Sequence, residues 1–310
     1  MAIERNLILV HSPGWQEVAD FHDIARRVQS LAPEIATYVV SNDSSAPVTR
    51  RQASMHPTLT FSPIRLRTFR PGRGIVFEGR TISKLEEMGR LARAGLPVPE
   101  YEPLTADTRL DRMRYGRLVI LKPSYALASF GQGIDLMESD HVRFRQPEDF
   151  PDQHPGRRGP MIVQRFVNCG FAMTCRVLTL FGAPLLTYCR ESTVPLAIDE
   201  KSGDFTQADF MPTRPNMRVY APRDADILEL AARAYAALPE AALQACDILR
   251  DRDGRLHILE VNPGGGAWMF SNRSAQRFRD ALGIDDLTQP FDAFAVCARQ
   301  LVEKTRTLAQ

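Results

Sequence analysis

Three oxygen-bearing side chains near the end of the sequence have the types and spacing to bind a divalent cation. They lie in LQACDILRDRDGRLHILEVNPG, residues 243–264, where two apolar runs flank an Asp-Gly dipeptide at 253–254, which is typical of a tight turn between strands. If that dipeptide forms the turn, Asp247 lies directly opposite Glu260, and Asn262 points to the same face. Opposed carboxylates repel each other unless a cation lies between them, and hard oxygen ligands suit Mg²⁺. The segment predicts a magnesium site, with an ordinary solvated hairpin as the alternative.

Two lysines occupy positions suited to binding phosphate groups. Ser83 begins a capping box, so Lys84 lies in the first helical turn, where a cation is disfavoured unless it is solvated or shares an anion with the helix terminus. Lys122 ends an alternating strand that continues into PSYALASFGQG, residues 123–133, whose small residues allow backbone N–H groups to approach phosphate. The chain contains no GxxxxGK[ST] sequence, so this loop is not a Walker loop.

Two arginines lie in neighbouring strands around Gly-Ala-Pro at residues 182–184. A three-residue turn would place Arg176 opposite Arg190, whereas a two-residue turn would place them on opposite faces. Because proline is poorly tolerated inside a strand ladder, the three-residue turn is favoured. Two facing arginines would bind an anion between them.

Composition limits the classes of partner and compartment. The 310 residues carry a net charge of +2, which does not indicate binding to nucleic acid or to an acidic membrane. Five widely spaced cysteines without a CxxC pair predict free thiols in a reducing compartment. The first residues contain no signal peptide or membrane span, so we expect a cytoplasmic protein.

The order of the elements predicts several lobes. Residues 6–41 read as strand, helix and strand, the beginning of a doubly wound sheet. A Pro-rich connector at residues 146–160 marks a lobe boundary, and the long, weakly periodic segment 192–223 suits an active-site cover. A basic run of four arginines is either a solvated loop or a contact for an anionic substrate: Arg65, Arg67, Arg70 and Arg73. The expected lobes are residues 1–80, 81–160 and 161–310.

These motifs occur in an order that resembles the ATP-grasp enzymes, in particular the branch of glutathione synthetase and the RimK-type amino-acid ligases. The resemblance covers residues 81–266. SKLEEMGRLARAGLPVP looks like the lysine helix of the family, and VILKPSYALASFGQG looks like its phosphate-covering loop, somewhat lengthened. IVQRFV is similar to the segment that joins the lobes, and CRVLTL and YCRES resemble the paired arginine strands. DIL…DGRLHILEVNPGG resembles the metal hairpin and is the most specific motif of the set.

The resemblance implies an α/β ATP-grasp fold, with an N-terminal βαβ lobe followed by two α+β lobes that clamp ATP. The phosphates of ATP would be held by Lys84, Lys122, Ser129, Gly131 and Gly133. Adenine would be framed, largely by backbone groups, by Gln164, Arg165, Phe166 and Val167. One or two Mg²⁺ ions, with Mn²⁺ as an alternative, would be coordinated by Asp247, Glu260 and Asn262. Charge on the transferring phosphoryl group would be stabilised by Arg176 and Arg190.

The activity that the resemblance implies is ATP- and Mg²⁺-dependent ligation of a small or amino-acid-like carboxylic acid to an amine. The carboxylate would attack the γ-phosphate, and the amine would then displace phosphate from the acyl phosphate. An ATP-binding protein without turnover and a small-molecule kinase are the alternatives. A homodimer would be ordinary for such relatives. Thr174 departs from the pattern, because relatives commonly carry a ribose-binding carboxylate there.

Overall fold

The first sheet forms the N-terminal part of the chain. The computed structural model describes residues 2–125, 133–199, 201–212 and 216–310. The parallel strands are β1 (Arg5–His11), β2 (Ile35–Ser41), β3 (Thr58–Phe61) and β4 (Ile75–Phe77), in the order β2-β1-β3-β4, with helices α1 (Val18–Leu31) and α2 (Pro47–Ala53) between them. The predicted strand–helix–strand beginning is confirmed. Helix α1 starts at Val18, after a turn in which Trp15 donates its backbone N–H to the carbonyl of Ser12.

The second sheet is antiparallel and carries one of the two candidate lysines. Its strands are β5 (Tyr101–Pro103), β6 (Leu118–Pro123), β7 (Asp135–Glu138) and β8 (Met161–Arg165), in the order β5-β8-β6-β7. Helix α3 (Lys84–Arg93) precedes it, and the short helix α4 (Arg112–Tyr115) lies before β6. Strand β8 pairs with β5 and β6, so this sheet continues beyond the Pro-rich connector at residues 146–160.

The third sheet carries the metal hairpin. Its antiparallel strands are β9 (Phe171–Leu180), β10 (Ala183–Pro195), β11 (Met217–Tyr220), β12 (Leu243–Arg250) and β13 (Leu256–Asn262), in the order β11-β10-β9-β12-β13. Helix α5 (Ala225–Ala237) lies between β11 and β12, and α6 (Ala275–Leu282) and α7 (Ala293–Leu308) follow β13. No helix among the described residues is long and apolar enough to cross a membrane.

A continuous apolar core fixes the third sheet against the first. It includes buried residues of α1, α7 and β9, and the rings of Phe21, Trp268 and Phe294 stack within it. Gly264, just after the metal hairpin, approaches the first lobe so closely that a Cβ atom would lie 2.6 Å from the Pro63 carbonyl oxygen. The end of the hairpin is therefore held against the loops that follow β3 and β4.

The turn between β12 and β13 is longer than predicted, yet the pairing of Asp247 with Glu260 is confirmed. Residues 251–255 form the turn, so the pairs nearest to it lie one residue out of the predicted register. A bulge at Leu259 adds one residue to β13 and brings the two carboxylates opposite each other. The predicted two-residue turn is wrong, and the bulge compensates for it.

The predicted register between β9 and β10 is wrong. The turn consists of Phe181 and Gly182, whose φ values of 51° and 82° are typical of a two-residue hairpin turn. A bulge at Leu185 then adds one residue to β10. The resulting pairs are Arg176 with Tyr188 and Thr174 with Arg190. The arginines do not face each other, but they share one face of the sheet at diagonal positions.

Two of the five cysteines are paired. Cys175 and Cys189 lie opposite each other in β9 and β10 and are joined by a disulfide. Cys169, Cys246 and Cys297 are free. The expectation of free thiols is therefore wrong for the pair. Sequence spacing could not show this contact, because it depends on the register that the bulge sets.

Candidate functional site

The three predicted metal ligands lie together on one face of the β12–β13 hairpin. The amide nitrogen of Asn262 lies 3.4 Å from a carboxylate oxygen of Asp247 and 3.3 Å from one of Glu260. No group of three His, Cys, Asp or Glu side chains in the described ranges could hold a metal ion, and the candidate cation site instead combines Asp247 and Glu260 with the amide of Asn262. Two carboxylates and an amide oxygen are hard donors that fit Mg²⁺.

Basic side chains surround these carboxylates. Lys84 forms an ion pair with Glu260, and the guanidinium of Arg176 binds Asp247 through two hydrogen bonds of 2.6 and 2.5 Å. Burial opposes ionisation of Glu260, but Lys84 and Lys122 hold the pKa of its carboxyl well below the usual range. The Glu260 carboxylate is therefore charged at neutral pH, and the neighbouring lysines balance its charge.

Helix α3 places Lys84 at the site. The Ser83 hydroxyl accepts a hydrogen bond from the backbone N–H of Glu86, as a capping residue does, so the predicted helix start is confirmed. Lys84 also donates its backbone N–H to Ser124, at the start of the predicted phosphate loop. The solvated alternative is wrong, because Lys84 is buried. Burial opposes its charge, but the interaction with Glu260 raises the pKa of its ammonium group.

Lys122 is the second buried lysine of the site. Its ammonium group lies 3.4 Å from the carbonyl oxygen of Leu259, the bulge residue of β13. Burial and then the neighbouring Lys84 lower the pKa of Lys122 to about 8. A bound anion would favour the charged form, because it would offset both effects.

Arg190 carries an unused hydrogen-bond donor. Among the described residues its Nε atom is buried without a hydrogen-bond partner, and it lies on the same face of the sheet as Arg176. An unpartnered buried donor on a cationic side chain is costly unless a ligand accepts from it. The pair of arginines therefore forms a candidate anion site next to Asp247.

Sequence reasoning missed Glu87. This carboxylate is buried, and it accepts a 2.7 Å hydrogen bond from the backbone N–H of Val261, beside Glu260. Burial raises its pKa to about 7, although Lys84 opposes the shift. The signal was available, since Glu87 lies three residues after Lys84 and so on the same face of α3. The hydrogen bond fastens α3 to β13 and so positions Lys84 against Glu260.

The predicted adenine segment is only partly free to bind a base. Gln164 is buried, and within the described part of the chain its Oε1 atom has no hydrogen-bond partner. The backbone N–H groups of Arg165 and Phe166 already donate to Glu100 and Leu118. These two donors are not available to adenine, and the other groups of residues 164–167 would have to provide the contacts. The role of this segment stays a prediction.

The phosphate loop is described at its two ends. Gly133 has a φ of 71°, and a Cβ atom there would lie 2.9 Å from the Cδ atom of Pro155. Glycine is therefore required where the loop passes the Pro-rich connector. Ser129 and Gly131, also predicted to contact phosphate, lie outside the described residues.

Comparison with known proteins decides the fold. No protein-family model matches the chain. The structure of the ATP-grasp ligase PsnB complexed with a phosphomimetic variant of its minimal precursor, Mg and ADP is similar, with a TM-score of 0.56 and 13% identity over 96% of this chain and 99% of that one. The D-cycloserine synthetase DcsG gives a TM-score of 0.51 and 13% identity over 96% and 99% of the two chains. The chain has the ATP-grasp fold.

A sequence relative agrees with this assignment. A D-alanine–D-alanine ligase of Neisseria gonorrhoeae (strain NCCP11945) is 25% identical over 171 residues, which cover 54% of this chain and 52% of the relative. The chain thus spans about half the length of the curated relatives it matches. The predicted ATP-grasp fold is confirmed, and the narrower branch stays a prediction. Lys122 extends from the second sheet and Lys84 from the adjoining helix towards the third sheet, where they meet the Leu259 carbonyl and the Glu260 carboxylate.

ATP binding without metal is expected to weaken as the pH rises through about 8, because Lys122 then loses its proton. The folding stability of the nucleotide-free protein should change in the opposite direction and increase as the pH rises. Since the folded pKa lies below the ordinary value of 10.5, the unfolded chain binds more protons between these values and folding stability rises with pH. Calorimetric titrations with ATP across this range test the first trend, with Lys122→Met as the variant that should lose the dependence. A wild-type affinity that stays constant with pH would contradict the assignment of Lys122.

Proposed function

We propose that the chain is an ATP- and Mg²⁺-dependent ligase that joins a carboxylate to an amine through an acyl phosphate. The observation that carries the proposal is the buried charge cluster on the ATP-grasp fold. In it, Lys84 and Lys122 converge on the face of the hairpin that bears the three oxygen ligands. Positioning and charge neutralisation account for most of the catalysis of phosphoryl transfer, and such a cluster provides both.

The chain's own residues have separate tasks in this proposal. Asp247, Glu260 and Asn262 would hold the Mg²⁺ ion, which supplies charge neutralisation at the nucleotide phosphates. Lys84 would exchange its ion pair with Glu260 for contact with a phosphate oxygen once the cation neutralises that carboxylate. Arg190 would donate its unused Nε–H to the anion that forms on the substrate.

The substrate is proposed to be an amino-acid-like acid or a peptide. The curated relatives are named as ligases of D-alanine, and the solved neighbours as a D-cycloserine synthetase and a ligase bound to its precursor. These names support an acid and an amine drawn from amino-acid chemistry. The thiols of Cys169, Cys246 and Cys297 are not needed, since burial raises the pKa of each and keeps it protonated.

Trapping with hydroxylamine tests this function. Phosphate release from MgATP is measured across a panel of amino acids, small carboxylic acids and peptides, with hydroxylamine present as the amine. The expected result is acid-dependent phosphate release accompanied by a hydroxamate of the same acid. Phosphate transferred to a hydroxyl, with no hydroxamate, would support a kinase instead. ATP binding without turnover across the whole panel would support the binding-protein alternative.

A further inference from the structure

Six arginines form an unpaired basic surface on the first lobe. We call this surface the arginine patch; it consists of Arg50, Arg51, Arg65, Arg67, Arg70 and Arg73, all exposed. Residues 42–73, which contain it, include a single carboxylate, Asp43. The whole chain has 39 cationic and 37 acidic residues, so this stretch departs strongly from the overall balance.

The loop that carries four of these arginines is anchored rather than loose. Leu66 and Phe69 are 4% and 0% exposed and belong to an apolar cluster with residues of β1. The side chain of Asn42 donates to the carbonyl of Arg65 and accepts from the backbone N–H of Arg67. The loop therefore holds its apolar side chains inward and displays its arginines at fixed positions.

Helix α2 continues the same surface. Arg73 donates to the carbonyl of Ser54, just after the helix, at 3.2 Å. A Cβ atom on Gly72 would lie 3.9 Å from the carbonyl oxygen of Arg50. Two apolar side chains beside the patch are largely exposed, Val48 at 67% and Met55 at 73%. The surface thus combines exposed arginines with exposed apolar side chains.

The arginines of the patch differ from other exposed arginines of the chain in their ion pairing. Within the part of the chain that the structure describes, none of the six takes part in an ion pair, whereas Arg114, Arg218 and Arg306 pair with glutamates elsewhere. The nearby carboxylate of Glu78 accepts from the backbone N–H of Leu66 instead. An external anion would therefore meet cations that no internal carboxylate neutralises.

The patch runs across the first sheet from its carboxyl edge towards its amino edge. Through their backbone, Arg65 and Arg67 bind Asn42, directly after β2. Arg73 donates to the carbonyl of Ser54, and the next residue, Gly74, lies against Thr58 at the start of β3. The Arg65 and Arg67 end of the patch therefore lies at the edge where Arg80 donates its backbone N–H to Pro263, directly after the metal hairpin.

We infer that the arginine patch is a docking surface for an acidic peptide segment. Several carboxylates on one chain would complement the exposed guanidinium groups, and apolar side chains between them would cover Val48 and Met55. A nucleic acid would also match the positive charge of the patch, but its phosphates would then face the exposed apolar side chains of Val48 and Met55. Docking itself is independent of catalysis, and any role in presenting a substrate carboxylate rests on the proposed function.

Fluorescence anisotropy with a labelled peptide of Glu, Ser and Leu tests the inference, with the matched Gln peptide as the ligand control. Arg50→Gln/Arg51→Gln/Arg67→Gln removes three cations whose side chains make no hydrogen bonds that the structure shows. The matched control, Arg233→Gln/Arg277→Gln/Arg299→Gln, removes three exposed cations from α5, α6 and α7. Circular dichroism establishes that both variants are folded.

The expected result is binding of the Glu peptide but not of the Gln peptide, weakened about tenfold in the patch variant and unchanged in the control variant. The binding should also weaken as salt is raised, since exposed charges are screened. Equal binding by the two variants would overturn the inference. So would tighter, patch-dependent binding of single-stranded DNA or of vesicles of acidic lipid, which would assign the surface to another class of partner. Loss of ligase turnover in Glu260→Gln with intact peptide binding would leave the docking surface supported, because that variant changes only the proposed active site.

Discussion

Glu260→Gln is expected to lower ATP-dependent phosphate release at least about 100-fold. The substitution removes a proposed metal ligand and the ion-pair partner of Lys84 while preserving the shape of the side chain. It also removes one of the oxygen ligands proposed for the Mg²⁺ ion that accompanies the nucleotide, so MgATP should bind more weakly as well. Steady-state phosphate release and calorimetric titration with MgATP measure the two effects.

Glu229→Gln is the matched control for this variant. Glu229 lies exposed on α5, so the same chemical change there should leave turnover and binding as in the wild type. Thermal denaturation separates loss of the site from loss of the fold, because a folded but inactive Glu260→Gln protein is the informative case. Substantial turnover in a folded Glu260→Gln protein would refute the metal site proposed for the hairpin.

Arg176→Met is expected to destabilise the fold by about 3 kcal/mol. Arg176 binds Asp247 through two hydrogen bonds, and the Asp247 side chain is only 4% exposed, so its removal leaves a buried carboxylate without its main partner. Burial opposes the charge of Arg176, but Asp247 raises the pKa of the guanidinium well above its ordinary value. Equilibrium unfolding in urea gives the change in the free energy of unfolding.

Two further variants test whether the loss of stability in Arg176→Met comes from leaving the buried Asp247 carboxylate unpaired. Arg176→Met/Asp247→Leu should recover most of the lost stability, because it removes both buried charges rather than one. Arg218→Met breaks the ion pair with Glu191, in which the arginine side chain is 62% exposed, and should lower the stability far less than Arg176→Met does. Equal losses in Arg176→Met and Arg218→Met would contradict a buried pair at the site.

The candidate site shows which features could be predicted from local sequence patterns and which could not. Asp247, Glu260 and Asn262 could be placed on one face because adjacent strands around a short turn have a period of two. The prediction succeeded although the turn was wrong, since the bulge at Leu259 restored the register. The same reasoning failed for Arg176 and Arg190, where the bulge at Leu185 was not visible in the sequence.

The amino-acid composition also indicates the importance of the two site lysines, independently of the motifs. Lysine occurs only four times among the 39 cationic residues, and two of the four are Lys84 and Lys122. A compact ammonium group binds a phosphate differently from a planar guanidinium, so retained lysines in an arginine-rich chain indicate a specific need. Both are buried in the structure.

The sequence by itself determined most of the elements and the chemical types at the site, because these depend on short-range periodicity and on motifs within single segments, and the resemblance of those motifs to ATP-grasp enzymes implied the fold. Tertiary structure decided the strand registers, the disulfide between Cys175 and Cys189, and the contact of Glu87 with Val261. These features depend on bulges and on packing between segments far apart in the chain, whose free energies arise only when the lobes are assembled.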